Sequence, residues 1–325
     1  MQLGLKESGY IRNEKVTHQQ RFLQEMDCVV PWADMEKRIA PYYDKTGAKG
    51  GRPPVRLGIM LRIYFLQQWF GLSDPGMEEK LYEVPSMCMF AGIDRSLVDV
   101  PDETTILNFR HLLEKHHLAQ ALFDCVKDLL TARGLLLKEG TLVVAPLIDA
   151  PSLTKNKEGC RDPEMHSTKK GDQWYFGIKA HIGVDANSGL VHTVVGTAAN
   201  AHDVTQAADL LHGEETYALG DAGYQGVQKR PEHGATETFW IAAMRPGTVR
   251  ALPDNPQGNI ARRLEKIKAG IRAKVEHPFR VIKCQFGDTK VRYRGLAKNA
   301  AQLTTLFALS NLWMVRKKFL QKIVA

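Results

Sequence analysis

Between residues 55 and 71 the apolar positions Leu57, Met60, Leu61, Tyr64 and Leu66 recur at helical spacing, and Gly71 supplies a residue able to end the helix in the left-handed region. Ser73 predicts a cap for a second helix that runs to Glu83, and a third short element follows near Met87. Asp102-Glu-Thr-Thr105 opens a helix carrying Ile106, Phe109 and Leu113. After His116-His117 another carries Leu118, Leu122, Cys125 and Leu129 and stops at Gly134. These periods predict an all-helical domain over residues 55–136. Residues 1–54 are more polar and end in a cluster of glycine, proline and cations over 45–54 that reads as a basic linker.

The pattern changes at Gly140. A strand is predicted over 140–148, followed by a loop rich in Lys, Ser, Asp and Pro between residues 151 and 172. The runs 174–184 and 190–195 flank Asp185-Ala-Asn-Ser-Gly189 and predict a hairpin with a five-residue turn. A helix over about 203–211 and a strand ending at Gly220 complete three antiparallel strands, a helix and a fourth strand. Residues 238–243 read as a further strand and 245–257 as a loop, so about 228–258 reads as a short insertion. Leu303, Leu306, Phe307, Ser310 and Trp313 lie on a terminal core helix. The fold class is mixed α/β, with a helical domain ahead of a sheet domain over residues 137–325.

Composition adds that the chain folds without staples. Its 325 residues are 44% apolar, and its five cysteines form no C-x-x-C pair, which indicates neither a disulfide framework nor a zinc site and fits a reducing cytoplasm. No leader-like start and no long apolar run is present, so no membrane segment is expected. Charge changes the picture more. The whole chain carries +8, yet residues 261–300 hold twelve Lys and Arg against Glu265, Glu276 and Asp288. A basic segment of that density suggests a polyanion partner.

Within it, Arg272-Ala-Lys-Val-Glu276-His-Pro-Phe-Arg280-Val-Ile-Lys283 places Arg272, Glu276 and Lys283 at i, i+4 and i+11, one side of a helix. Val275, Phe279 and Ile282 form a neighbouring face able to pack on a sheet. Pro278 predicts a kink or a helix start. Asp221 follows the short apolar run 217–220 and precedes two glycines, as expected of a carboxylate at a strand's end entering a tight loop. Two carboxylates on a strand end and a helix, inside a basic surface, are the oxygen ligands a divalent-metal phosphoryl-transfer site uses.

The spacing of Arg272, Glu276 and Lys283 resembles the glutamate signature of insertion-sequence transposases of the IS-four and IS-five kind, and Asp221 in DAGYQG resembles their second catalytic aspartate. The resemblance covers about residues 20–315 and includes NFRHLLE, APSLTKNKEGCRDPEMHSTKKG, KAHIGVDANSGLVH and VRYRGLAKNAAQLTTLFALSNL. It implies a ribonuclease-H-like catalytic core and metal-dependent DNA cleavage and strand transfer with Mg²⁺ (or Mn²⁺). It also implies that Asp221 and Glu276 hold the metal, that Arg272, Arg280, Lys283, Lys290, Arg292 and Arg294 meet phosphate, and that a homodimer engages double-stranded DNA, both terminal inverted repeats and target. The helical domain is then expected to contact DNA.

One position departs from the family's pattern. Its first catalytic aspartate closes a strand reading like G-T, two apolar residues, D-A-T, and here the stretch is Gly140-Thr-Leu-Val-Val144-Ala-Pro146. Val144 offers no ligand. Asp149 lies five residues on, about 16 Å along an extended strand at ~3.3 Å per residue and on its other face, and even a bulge at Pro146 would not bring it back to the place of Val144. Two alternatives follow: a DNA-binding relative without catalysis, and a tyrosine recombinase built on His277, Arg280 and Tyr293.

Overall fold

A computed structural model describes residues 15–43, 54–151, 159–233 and 238–324. The polar N-terminal segment contributes two helices, α1 (His18–Val29), which starts in a capping box between Thr17 and Gln20, and α2 (Trp32–Ile39). They bury Leu23, Met26, Met35 and Ile39 in the main core. The 1–54 segment is therefore structural over much of its length, and the linker read over 45–54 lies, but for Pro54, outside the described residues. Helices α3 (Leu57–Phe70), α4 (Asp74–Glu83), α5 (Pro85–Ala91), α6 (Glu103–Lys115) and α7 (Leu118–Ala132) follow the predicted order. Gly71 ends α3 at φ 64°, and the side chains of Ser73 and Asp102 cap α4 and α6.

The strands are β1 (Gly140–Val144), β2 (Leu147–Asp149), β3 (His166–Lys170), β4 (Gln173–Asp185), β5 (Val191–Ala198), β6 (Tyr217–Gly220) and β7 (Phe239–Ala242). β4 pairs antiparallel with β1 along one edge and with β5 along the other, since residues 182–184 meet both. β6 and β7 extend the sheet in parallel from β1. The central order β5-β4-β1-β6-β7, with only β4 reversed, is that of a ribonuclease-H-like core.

Two readings need correction. β3, within the stretch read as loop, is a strand: its sequence, HSTKK, has no apolar alternation, and only pairing with residues 173–177 makes it one. The helix expected over 203–211 is two 3₁₀ turns, Asp203–Gln206 and Ala208–Leu210. The strand read at 238–243 is β7, which joins the sheet beside β6 and precedes the short α8 (Pro246–Arg250).

The glutamate helix is broken as Pro278 requires. Helix α9 (Pro256–Arg272) passes through a 3₁₀ turn, Ala273–Val275, into α10 (Glu276–Arg280) and a π turn, Val281–Gln285. Val275, Val281 and Ile282 are buried and Phe279 packs edge-on against Phe307 of α11 (Leu296–Val324). Asn311 of α11 exchanges side-chain bonds with the backbone of Val191 in β5.

One apolar core runs through the helical domain, α11 and a face of the sheet. Polar links join the same parts. The Tyr64 hydroxyl meets that of Thr305 at 3.1 Å, and Arg316 pairs with Glu25. Arg110 bridges Asp74 and Glu114 while its guanidinium lies 4.6 Å above the Tyr293 ring. Among the described residues no helix is long and apolar enough to cross a membrane.

Candidate active site

The parallel pairing of β1 with β6 matches Gly140 to Tyr217, Thr141 to Ala218 and Leu142 to Leu219. Continued two residues past its last pair, that register would set Val144 level with Asp221, the residue that follows β6. Adjacent strands lie about 4.8 Å apart, so side chains at these two positions would be within reach of one shared ion. Val144 is half-buried and packs against the main core, on the face that Leu142 occupies. Asp221 follows Leu219 by two residues in extended backbone.

Asp221 is held where a turn begins. Its Oδ1 accepts the Gly223 N–H at 2.8 Å. A side chain at Gly223 would start 2.9 Å from that oxygen and 3.2 Å from Oδ2 of Asp203, so two carboxylates flank this glycine. Asp203 in turn pairs with Lys179 of β4 at 2.9 Å. Sequence reasoning placed Asp203 on a helix and gave it no role. Its neighbours are 18 and 24 residues away, and no local period signals such a meeting.

Glu276 lies on the helix that packs over the same sheet face. It is exposed, and its carboxylate has no hydrogen-bond or ion-pair partner among the described residues. Two residues earlier, Lys274 donates to the carbonyls of Ala186 and Asn187 in the β4–β5 turn, which fixes the start of α10 at that end of the sheet. From there α10 and the π turn carry Arg280 and Lys283, both exposed.

Asp149 does not stand in for Val144. Val144 pairs with Ile182, Leu147 with Lys179 and Asp149 with Gly177, an unbroken register. Pro146 therefore inserts no bulge. Its carbonyl simply accepts the Ala180 N–H, and Asp149 stays five residues away on the opposite face.

Among the predicted phosphate contacts Arg280, Lys283, Lys290, Arg292 and Arg294 are all exposed, and Arg292 also pairs with Asp288 at 3.0 Å. Arg292 and Arg294 line, with Arg161 and Tyr293, a cavity of about 210 Å³ beside Ala150. Tyr293 sits beneath Arg110, and burial raises its phenol pKa, the reverse of an activated nucleophile. This disfavours the tyrosine-recombinase alternative.

Two histidines beneath the site are buried and neutral. Burial pushes His181 down to about 4 against the opposing pull of Asp203, and pushes His192 down to about 3. The unfolded chain binds protons at both near pH 6.5, so stability is full above that pH and falls as pH drops toward the folded values. The expected result is a urea midpoint that declines steadily from pH 6.5 to 4.5, with less decline in His181→Gln. Equal decline in that variant would refute it.

Comparison with known families gives two matches. Residues 145–312 match a family described as "Transposase DDE domain", a stretch that begins one residue after Val144, and residues 11–112 match "Transposase domain (DUF772)". No solved structure matches the chain.

Proposed function

The chain belongs to the insertion-sequence DDE transposases, and on that premise we propose an IS-five-group member that binds DNA through an incomplete catalytic centre and does not cleave it. The partners would be the element's terminal inverted repeats and target DNA, engaged by at least a dimer. The observation that supports this reading is the β1–β6 register, whose continuation past Leu142 and Leu219 would bring the apolar Val144 level with Asp221.

The family's chemistry uses three carboxylates to hold Mg²⁺ or Mn²⁺ against a phosphodiester, with metals roughly 3.5–4 Å apart on the attacking and leaving oxygens. The residues present do not fit that group. On this reading Asp221 and Glu276 supply two of the three carboxylates, the third position is apolar, and the unbroken register keeps Asp149 away. Asp203 is near, but its Oδ1 is committed to the Lys179 ammonium. No strand-transfer step is therefore derived for this chain.

Binding needs no metal. Arg280, Lys283, Lys290 and Arg294 offer exposed cations on one continuous segment, and Arg272 closes α9 just before it. Lys and Arg that neutralise phosphates release counterions, so affinity should fall steeply with salt. Contacts by the helical domain, on the faces outside its acidic stretch, would add end recognition.

A linear DNA carrying the element's termini tests this directly. The unmodified chain should shift it in a gel in EDTA as well as in Mg²⁺, lose affinity tenfold or more between low and moderate salt, and leave both strands intact. Robust Mg²⁺-dependent nicking by the unmodified chain would mean the first ligand has been misplaced.

A further inference from the structure

Helix α9 is out of keeping with the rest of the fold. It spans seventeen residues, and among them only Gly258 is buried. Helices of this length are marginal alone and draw most of their stability from a packed apolar face. Here that face is bare: Ile260, Leu264 and Ile267, at i, i+4 and i+7, are 61%, 53% and 51% exposed. The helix is tethered instead by polar bonds, Glu265 accepting from Met244 N and Lys268 reaching the Ala242 carbonyl. Around the stripe the charge is one-sided, since residues 256–274 carry six Lys and Arg against Glu265 alone.

The complement lies elsewhere on the same chain. Residues 73–103, spanning α4, α5 and the following turn, hold eight Asp and Glu against Lys80 and Arg95. This is the acid-rich part of a chain that is basic overall. It also exposes large apolar side chains, Met89 at 76% and Leu97 at 80%, with Tyr82 close behind. Pro85, Cys88, Met89, Gly92 and Ile93 line an open groove of about 630 Å³ whose rim holds Asp94 and Arg95.

We propose that the apolar stripe of α9 docks into the apolar groove around Met89, within the acid-rich stretch 73–103, on a second copy of this chain. Two observations select a second copy over DNA. An apolar stripe gains nothing from phosphates, and the acid-rich stretch 73–103 around the groove would repel them, whereas that stretch matches the basic helix in charge and the groove matches its stripe in hydrophobicity. Every copy carries one of each, so a two-fold pair can make the contact twice. Attraction of opposite charges makes the assembly salt-sensitive, while the apolar contact survives screening in part. The inference is independent of any catalytic reading and concerns the free protein.

Sedimentation of the full chain, without DNA or metal, tests it. The unmodified chain should be dimeric at tens of micromolar in low salt and dissociate measurably in high salt. Leu264→Asp and Met89→Asp should each be monomeric, and both positions are exposed, so circular dichroism should be unchanged. Mixing the two variants should restore pairing, because one intact stripe then meets one intact groove. Ile267→Asp with Leu97→Asp repeats the design at independent positions. A monomeric unmodified chain, a dimer that survives either substitution, or failure of the mixture to pair would overturn the proposal. So would a stripe variant that loses DNA affinity while its mass is unchanged.

Discussion

Val144→Asp should bind Mn²⁺ at least tenfold more tightly than the unmodified chain and, uniquely among substitutions at this position, should be stabilised by the metal. The reason lies in the strand register, whose continuation would set residue 144 level with Asp221. Without metal, a second carboxylate beside the first, at a half-buried position, raises one of the two pKa values and costs about 1–3 kcal/mol by repulsion and desolvation. With the ion bound the same pair becomes a bridge, and a metal at a hundred times its Kd returns about 2.7 kcal/mol. The thermal midpoint in EDTA should therefore fall below that of the unmodified chain, and rise above its own EDTA value by several degrees in Mn²⁺. Val144→Asn, similar in size and polarity but uncharged, should show the fall without the rise. If aspartate and asparagine respond alike to Mn²⁺, residue 144 does not face Asp221. End-DNA nicking by Val144→Asp alone would carry the result through to chemistry.

Asp185→Asn should destabilise the fold by about 3 kcal/mol, the lost charge-assisted bonds and a misplaced donor together. Asp185 is 1% exposed and closes the β4–β5 turn. Its Oδ1 accepts from the N–H groups of Asn187 and Ser188 and from the Ser188 hydroxyl, and its Oδ2 from the N–H groups of Leu137 and Lys138. Burial alone would raise its pKa, yet those five donors hold it below the usual carboxylate range. An amide must turn its NH₂ toward N–H groups on one side or the other. Because the folded pKa is depressed, the aspartate's contribution is fully present above the unfolded value near 3.9 and lost as pH falls through the folded value. Urea unfolding at pH 7 should show the whole deficit, and the gap between variant and unmodified chain should narrow below about pH 4. A deficit under ~1 kcal/mol at pH 7 would mean that solvent replaces these donors. The same turn receives Lys274, so the variant should also loosen the start of the helix that carries Glu276.

The helical domain was legible because its signals are local. Gly71, Ser73 and Asp102 stand at the ends they mark, and the apolar period between them needs no distant partner. β3 was not legible, since a polar run becomes a strand only beside β4. Of the proposed site, Asp221, Glu276 and the valine at 144 are read from their flanking residues alone. Asp203 was missed because nothing near it in the chain points to Gly223 or Lys179. Asp149 was set aside on strand length alone, and the unbroken register with β4 supplies the firmer reason.

By itself the chain's order of residues determined which carboxylates exist and that one is absent, because side-chain chemistry is a property of each residue alone. It determined equally where helices start and stop, through caps and periods only a few residues long. Which residues share a site was decided by tertiary structure: backbone pairing between β1 and β6 brings together positions 77 residues apart, and no local pattern encodes that alignment. The same holds for α9, whose apolar stripe looks like any other core helix until the folded chain leaves it uncovered.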